Sequence, residues 1–237
     1  MTAPEPTPAA APARGGTRPV LVVVGAGPGV SGSVARRFAD EGYDVGLLGT
    51  DQRVLDDLTT DLERRGATVR SATVDVTDTG AATSAVRGMG EAWGHVDVLH
   101  FNPSAYREKD PLELSVPELL EDVALGVGAL LTAVQAARPF LAAGSRISVT
   151  GSMAADRPWH GAASLGVQKA GVRNLVRSLD ATLAPDGIRA VSVTVRGTLA
   201  REGDFTPDRV ADAIWGAVTT AEEEWASEVP YSGQARG

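Results

Sequence analysis

The chain has 237 residues, 43% apolar and 22% charged, with a formal net charge of −8 at pH 7, the proportions of one ordinary globular domain. The acidic balance argues against a nucleic acid or an anionic membrane as partner, because both call for a basic face. Cysteine is absent and the histidines are three, His95, His100 and His160, which excludes disulfides, thiolate nucleophiles and cysteine-based metal sites; no metal is expected.

Residues 1–18 are rich in Pro and Ala and read as a disordered extension, followed by a single domain over 19–237. The extension lacks the apolar core of a secretory signal, and no apolar run approaches the roughly 18 residues of a membrane span, so the expected location is cytoplasmic. The first strand is expected in Pro19–Val24, a β-branched apolar run with the look of a strand buried on both faces. A helix follows over Val30–Glu41, with Val34, Ala35 and Phe38 on one face and Gly42 as its stop. Further strands are expected at Asp44–Leu48, Thr68–Val74, Val96–Phe101, Arg146–Thr150 and Ile188–Val195. Helices lie between them at Gln52–Arg65, Thr79–Trp93, Val116–Leu141 and Ala163–Leu183, with a last helix over Pro207–Val218 and an edge strand within Trp225–Tyr231. Strands and helices in this alternation imply βαβ units. The expected fold class is α/β, a Rossmann-like doubly wound parallel sheet flanked by helices on both faces.

The turn Gly25-Ala26-Gly27-Pro28-Gly29-Val30-Ser31-Gly32 joins the first strand to the first helix. Glycines there let the chain turn sharply and let a pyrophosphate approach the helix N-terminus. Two registers fit: Gly27-x-Gly29-x-x-Gly32, and Gly25-x-x-x-Gly29-x-Ser31. The second is preferred because its first glycine follows the strand directly. A tight turn without ligand is the bland alternative.

With these motifs in order, the sequence resembles the short-chain dehydrogenase/reductase family over about Pro19 to Val218. Asp75-Val76-Thr77 is similar to the family's adenine-contacting acidic motif. Asn102 is what remains of its fourth-strand Asn-Asn-Ala-Gly motif. Ser152 ends the fifth strand where the family has its active-site Ser, Lys169 matches the active-site Lys, and Arg196-Gly197-Thr198 stands where the family has Pro-Gly and a nicotinamide-contacting loop. The resemblance implies NAD or NADP as cofactor, held by Gly25, Gly27, Gly29, Ser31, Asp75, Val76, Asn102, Lys169 and Gly197, and a small-molecule substrate. It also implies a homodimer or homotetramer built on the long helices. Dinucleotide choice falls to the end of the second strand. There Gly49 and Thr50 are neither acidic nor basic, Asp51 could hold a ribose hydroxyl, and Thr50 with Arg53 could accept a phosphate; the preference stays open.

The chain departs from the family where its reaction needs a proton donor. Leu165 stands in the place of the tyrosine four residues before the lysine, and Leu125 in the place of the helix asparagine. A phenol can move a proton at the substrate oxygen and leucine cannot. His160 and Tyr106 are the candidates to replace it, beside Ser152 and Lys169 as catalytic residues. The short stretch Gly197–Pro207 suggests an open pocket, or one walled by Met153, Trp159 and Tyr106. The expected function is an NAD(P)-dependent oxidoreductase acting on a carbonyl or alcohol of a small molecule. The alternatives are a non-redox enzyme of the same fold (cyclase, dehydratase or isomerase) and a catalytically silent dinucleotide-binding protein.

Overall fold

A computed structural model describes residues 17–233; most of the expected extension lies outside them. Arg18, its last residue, donates to the carbonyl oxygens of Gly42 at 3.0 Å and Gly66 at 2.8 Å and pairs with Asp44 at 3.2 Å.

Seven strands form one parallel sheet in the order β3-β2-β1-β4-β5-β6-β7. They are β1 (Val20–Val24), β2 (Asp44–Gly49), β3 (Val69–Thr73), β4 (Val98–Phe101), β5 (Arg146–Ser152), β6 (Arg189–Val195) and β7 (Glu228–Tyr231). The sequence pattern explains why β1 is central. Val20, Val22 and Val24 enter one core cluster, while Leu21 and Val23 enter the other. A strand covered on both faces has no use for polar alternation. One face carries α1 (Val30–Asp40), α2 (Gln52–Arg64) and α7 (Pro207–Val218), and the other α3 (Thr79–Trp93), α4 (Val116–Val123), α5 (Ala129–Ala137) and α6 (Ala163–Leu183).

Helix starts are set by polar side chains. Asp51 caps α2, Asp78 caps α3, Ser115 forms a capping box with Glu118 on α4, and Thr206 caps α7, each satisfying backbone N–H groups that the helix itself leaves open. No side chain caps α1.

One expected helix is interrupted. Val116–Leu141 divides into α4, a π-helical segment Ala124–Gly128, and α5. The extra residue of the π segment brings Gly126 against α6, where a Cβ would lie 2.7 Å from Oε1 of Gln168. The stretch Val116–Phe140 (25 residues, with an 18-residue window of mean hydropathy 1.5) is long and apolar enough to cross a membrane by length and composition, which corrects the expectation that no such run exists. Its apolar residues serve two sides: Leu130, Ala133, Val134 and Ala137 enter the core, whereas Val116, Leu120 and Leu131 are exposed.

The edge strand is shorter than its expected segment because Trp225 is held elsewhere. The guanidiniums of Arg146 and Arg189 both lie over its ring, 4.9 and 5.2 Å from the centroid. Its Nε1 donates to Asp180 at 3.1 Å, and Asp180 also accepts two bonds from Arg189 and one from the Ala190 N–H, all at 2.8 Å. Removing one partner of such a cluster strands the others. Asp180→Ala is therefore expected to lower unfolding free energy by about 3 kcal/mol, read by urea denaturation; a loss below about 1 kcal/mol would mean that Arg189 finds equal partners in solvent.

Candidate active site

All strands run in one direction, so the turns after β1, β4, β5 and β6 gather at one edge of the sheet. The strand order changes direction between β1 and β4, and that crevice is where ligands of open α/β sheets bind.

The β1 turn is built around a close crossing. Gly25 has φ +81°, and a Cβ there would lie 2.7 Å from the ring of Pro103 in the β4 turn. The N–H groups of Gly25 and Ala26 both donate to Leu48 at the end of β2, at 2.8 and 2.7 Å. A Cβ on Gly49 would lie 2.6 Å from the Ala26 carbonyl oxygen, so position 49 is closed to any side chain that could read a ribose. Ser31 is buried and its Oγ accepts from the Gly27 N–H at 3.0 Å, so it shapes the turn from inside. Gly29 faces open space. Gly32 is as tightly placed, since a Cβ there would lie 2.6 Å from the Gly27 carbonyl oxygen, so both registers keep a glycine that the packing requires.

A cleft of about 400 Å³ opens beside the turn, and Gly29, Asn102, Tyr106, Ser152, Lys169 and Gly197 all line it. Leu165 lines it too, one helical turn before Lys169 on the same face. Lys169 and Tyr106 are the cleft's titratable side chains. Nζ of Lys169 donates to the Thr150 carbonyl oxygen at 2.9 Å, and burial pushes the ammonium down to about 8. His100, on β4, is wholly buried, with Nδ1 2.9 Å from Ser148 Oγ. Burial and the charge of Lys169 hold it down at about 3, so it is neutral and adds no second cation. The Oγ of Ser152 accepts from the Ala154 N–H at 3.2 Å, which leaves the hydroxyl proton able to donate to a ligand oxygen.

The loop after β4 is fixed from two sides. Gln168, fully buried on α6, accepts from the Ala105 N–H at 3.0 Å and donates to the Ala105 carbonyl at 3.2 Å. Arg107 makes a two-pronged bond to buried Asp122 on α4, at 3.1 and 3.0 Å, and Lys109 reaches Glu118 at 2.5 Å. Sequence reasoning missed Gln168 and the Thr150 carbonyl, since both act across more than a dozen residues with no local motif.

The remaining expected residues stand in different places. His160 is exposed in the turn His160–Ala162 before α6, with its ring edge-on to Trp159, and it is not among the residues that line the cleft. Tyr106 reaches the cleft 62% exposed and stacked on Trp159, ring centroids 6.4 Å apart. Asp51 spends its Oδ1 on the α2 cap, accepting from Arg53 and Val54; Thr50 beside it is exposed. Asp75 sits past β3 and accepts from the Thr77 N–H and hydroxyl at 2.9 and 2.6 Å, which lowers its pKa. Val76 is buried next to it. The lid is folded down at its root: Phe205 covers Gly197, where a Cβ would lie 2.4 Å from its ring, and Leu199 remains at the cleft. Among the described residues no group of three or more His, Asp or Glu could hold a metal.

This edge is the nucleotide-binding side of a Rossmann-type fold. The chain belongs to the short-chain dehydrogenase/reductase family of oxidoreductases, which use NAD or NADP: residues 25–220 match the family described as Enoyl-(Acyl carrier protein) reductase. It is similar to sulfoacetaldehyde reductase 2 of Chromohalobacter salexigens (27% identical over 221 residues, 90% of this chain and 86% of the relative). It is also similar to cis-4-hydroxycyclohexanecarboxylate dehydrogenase of Sinomonas cyclohexanicum (30% over 217 residues, 82% and 87%). A short-chain dehydrogenase from Burkholderia cenocepacia J2315, solved in complex with NADP, shares the fold with a TM-score of 0.83 at 24% identity, over 91% of this chain and 96% of that one.

Two outcomes are expected. Gly25→Ala, which forces a methyl into Pro103 at a left-handed position, should cost about 1–3 kcal/mol in stability; an unchanged urea midpoint would mean that the two turns separate freely. Lys169 holds its proton up to about 10.5 when unfolded but loses it near 8 when folded. Between those values the unfolded chain binds more protons, so stability rises with pH. Lys169→Met should therefore be the more stable protein at pH 7, by on the order of 3 kcal/mol, with an advantage that shrinks from pH 8 to 10.5. A pH-independent difference in urea denaturation would refute the lowered pKa.

Proposed function

We propose that the chain is an NAD(P)-dependent oxidoreductase interconverting a carbonyl and an alcohol on a small molecule, through an active site that lacks the family tyrosine and uses Lys169 as proton donor and acceptor. The observation that carries this reading is the pairing in one cleft of Leu165 with a buried lysine whose pKa falls to about 8. An amine poised near neutrality can give a proton to a substrate oxygen and regain it from solvent.

The residues present fit a dinucleotide. The α1 N-terminus has no side-chain cap, its first turn holds no acid, and Gly29 leaves open space in front of it, which suits a pyrophosphate. Asn102, Lys169 and Gly197 stand at the nicotinamide end. When bound, the dinucleotide supplies or takes up the hydride. Ser152 donates its hydroxyl proton to the substrate oxygen and holds the carbonyl in place. Lys169, oriented by the Thr150 carbonyl, delivers the proton to that same oxygen on reduction. Val30, Leu165, Val195 and Leu199 keep the cleft wall apolar, which strengthens both polar contacts by excluding water. Tyr106, solvated at the mouth, contributes binding surface. We also propose a homodimer or homotetramer through the exposed Val116, Leu120, Leu131 and Val167 of α4, α5 and α6, apolar groups that a second copy would cover.

Titration with NADH, NADPH, NAD and NADP is expected to raise the melting temperature with at least one of them, a ligand at about 100 Kd adding roughly 2.7 kcal/mol. A panel of small aldehydes and ketones should then consume the reduced nucleotide, with kcat falling as Lys169 loses its proton near pH 8. Lys169→Met should lower kcat by about 100-fold or more, while Tyr106→Phe changes it little. Nucleotide binding without any turnover would leave a silent binding protein; turnover that survives Lys169→Met would move the proton to another group.

A further inference from the structure

Beyond the cleft the chain builds a second hollow, of about 280 Å³, lined by Met153, Asp156, Arg157 and Arg196. Two of its residues are chain neighbours of residues that line the cleft. Ser152 and Val195 are register partners at the ends of β5 and β6. Met153 follows Ser152 in the turn after β5, and Arg196 stands between Val195 and Gly197, which both line the cleft. The hollow therefore lies one residue away from the cleft wall on both strands.

Its charges are unbalanced. Both carboxylate oxygens of Asp156 are taken by Arg173, at 2.5 and 2.8 Å. That pairing first, and then the fields of Arg196 and Arg157, hold the Asp156 carboxyl below its ordinary range. Arg157 and Arg196 are both exposed; their backbone N–H groups donate to the carbonyl oxygens of Met153 and Tyr231, both at 2.8 Å, and among the described residues neither guanidinium donates to a protein acceptor. Two guanidiniums thus face a small hollow whose one acid is already neutralised, in a chain that carries a net charge of −8.

We infer that this hollow receives the anionic group of the substrate, so that the substrates are small carbonyl or hydroxy acids bearing a carboxylate, sulfonate or phosphate a few bonds from the reacting carbon. Guanidinium forks match such planar or tetrahedral oxyanions with paired, charge-assisted bonds. The inference rests on the oxidoreductase reading for the carbonyl, but the anion pocket itself can be measured without turnover. A phosphate of the dinucleotide is the other source of such an anion, and the glycine turn across the cleft is where that group belongs.

The binding test uses succinate and its neutral counterpart dimethyl succinate with the full chain, with and without saturating nucleotide. Succinate is expected to raise the melting temperature of the wild type and dimethyl succinate is not. The shift should vanish in Arg157→Gln/Arg196→Gln and return in Arg157→Lys/Arg196→Lys. Persistence of the succinate shift only until nucleotide fills the site would assign the anion to the dinucleotide and overturn the inference, as would no shift in the wild type or an equal shift in the Gln double variant. The kinetic test compares acetoacetate and succinic semialdehyde with their own methyl esters. The acid-to-ester ratio of kcat/KM should exceed about tenfold in the wild type and fall by about tenfold in the Gln double variant; an unchanged ratio overturns the inference. An arginine-dependent succinate shift in a protein that turns over no carbonyl compound would keep the anion pocket and remove the oxidoreductase reading.

Discussion

The site depends on one steric constraint, the crossing of three strand ends at Gly25 and Ala26. The backbone of Gly25 is left-handed, its Cβ position is filled by Pro103 from β4, and the Ala26 carbonyl fills the Cβ position of Gly49 on β2. Two hydrogen bonds to Leu48 lock the arrangement. Packed backbone of this kind has two consequences. It pins the β1 turn so that α1 begins with uncapped N–H groups facing the cleft. It also removes position 49 as a reader of the ribose, which leaves that task to the exposed tip of β2, where Thr50 stands beside an Asp51 already committed to capping α2.

The second organising element is α6, which carries different chemistry on successive residues. Leu165 and Lys169 share the face toward the cleft, while Gln168 turns toward α4 and the β4 loop. The π segment on α4 gives Gln168 its space, because Gly126 presents no Cβ where the amide lies. Inserted residues of this kind recur near functional sites, and here the insertion serves positioning. It lets one buried amide hold Ala105, and through it the cleft-lining neighbours Ser104 and Tyr106. The lysine gains rigidity from the same helix, and its burial keeps its ammonium weakly held.

The fold was legible in the sequence because the central strands of a two-sided sheet are short apolar runs and α2, α3, α4 and α7 each begin at a capping side chain. β1, β2 and α2 are found within a residue or two of their expected bounds. What the sequence hides is contact between distant positions. Val116–Leu141 reads as one helix because a π insertion leaves the apolar pattern intact; only the packing of Gly126 on Gln168 exposes it. His160 and Tyr106 look equivalent as replacements for a missing phenol, since both are polar aromatics on the right edge. The backbone sends His160 outward in the turn before α6 and Tyr106 to the cleft. Asp51 illustrates the converse case: a carboxylate in a position that invites a ribose contact is already used by the first turn of its own helix.

Charge at the site and charge on the whole chain have opposite signs, and distance decides which matters. At physiological ionic strength interactions between exposed charges fade over about 8 Å, so the excess acids elsewhere on the surface contribute little at the cleft. Lys169 lines the cleft, and Arg157 and Arg196 line the neighbouring hollow, where Asp156 is paired with Arg173. The neutral His100 on β4 and the apolar Leu165 one turn before the lysine add no charge of either sign. Lys169 is the one Lys or Arg among the residues that line the cleft, in a chain of net charge −8. Its Nζ has the Thr150 carbonyl oxygen as hydrogen-bond partner. An oxyanion that enters the cleft would therefore meet this ammonium before any other cation of the lining.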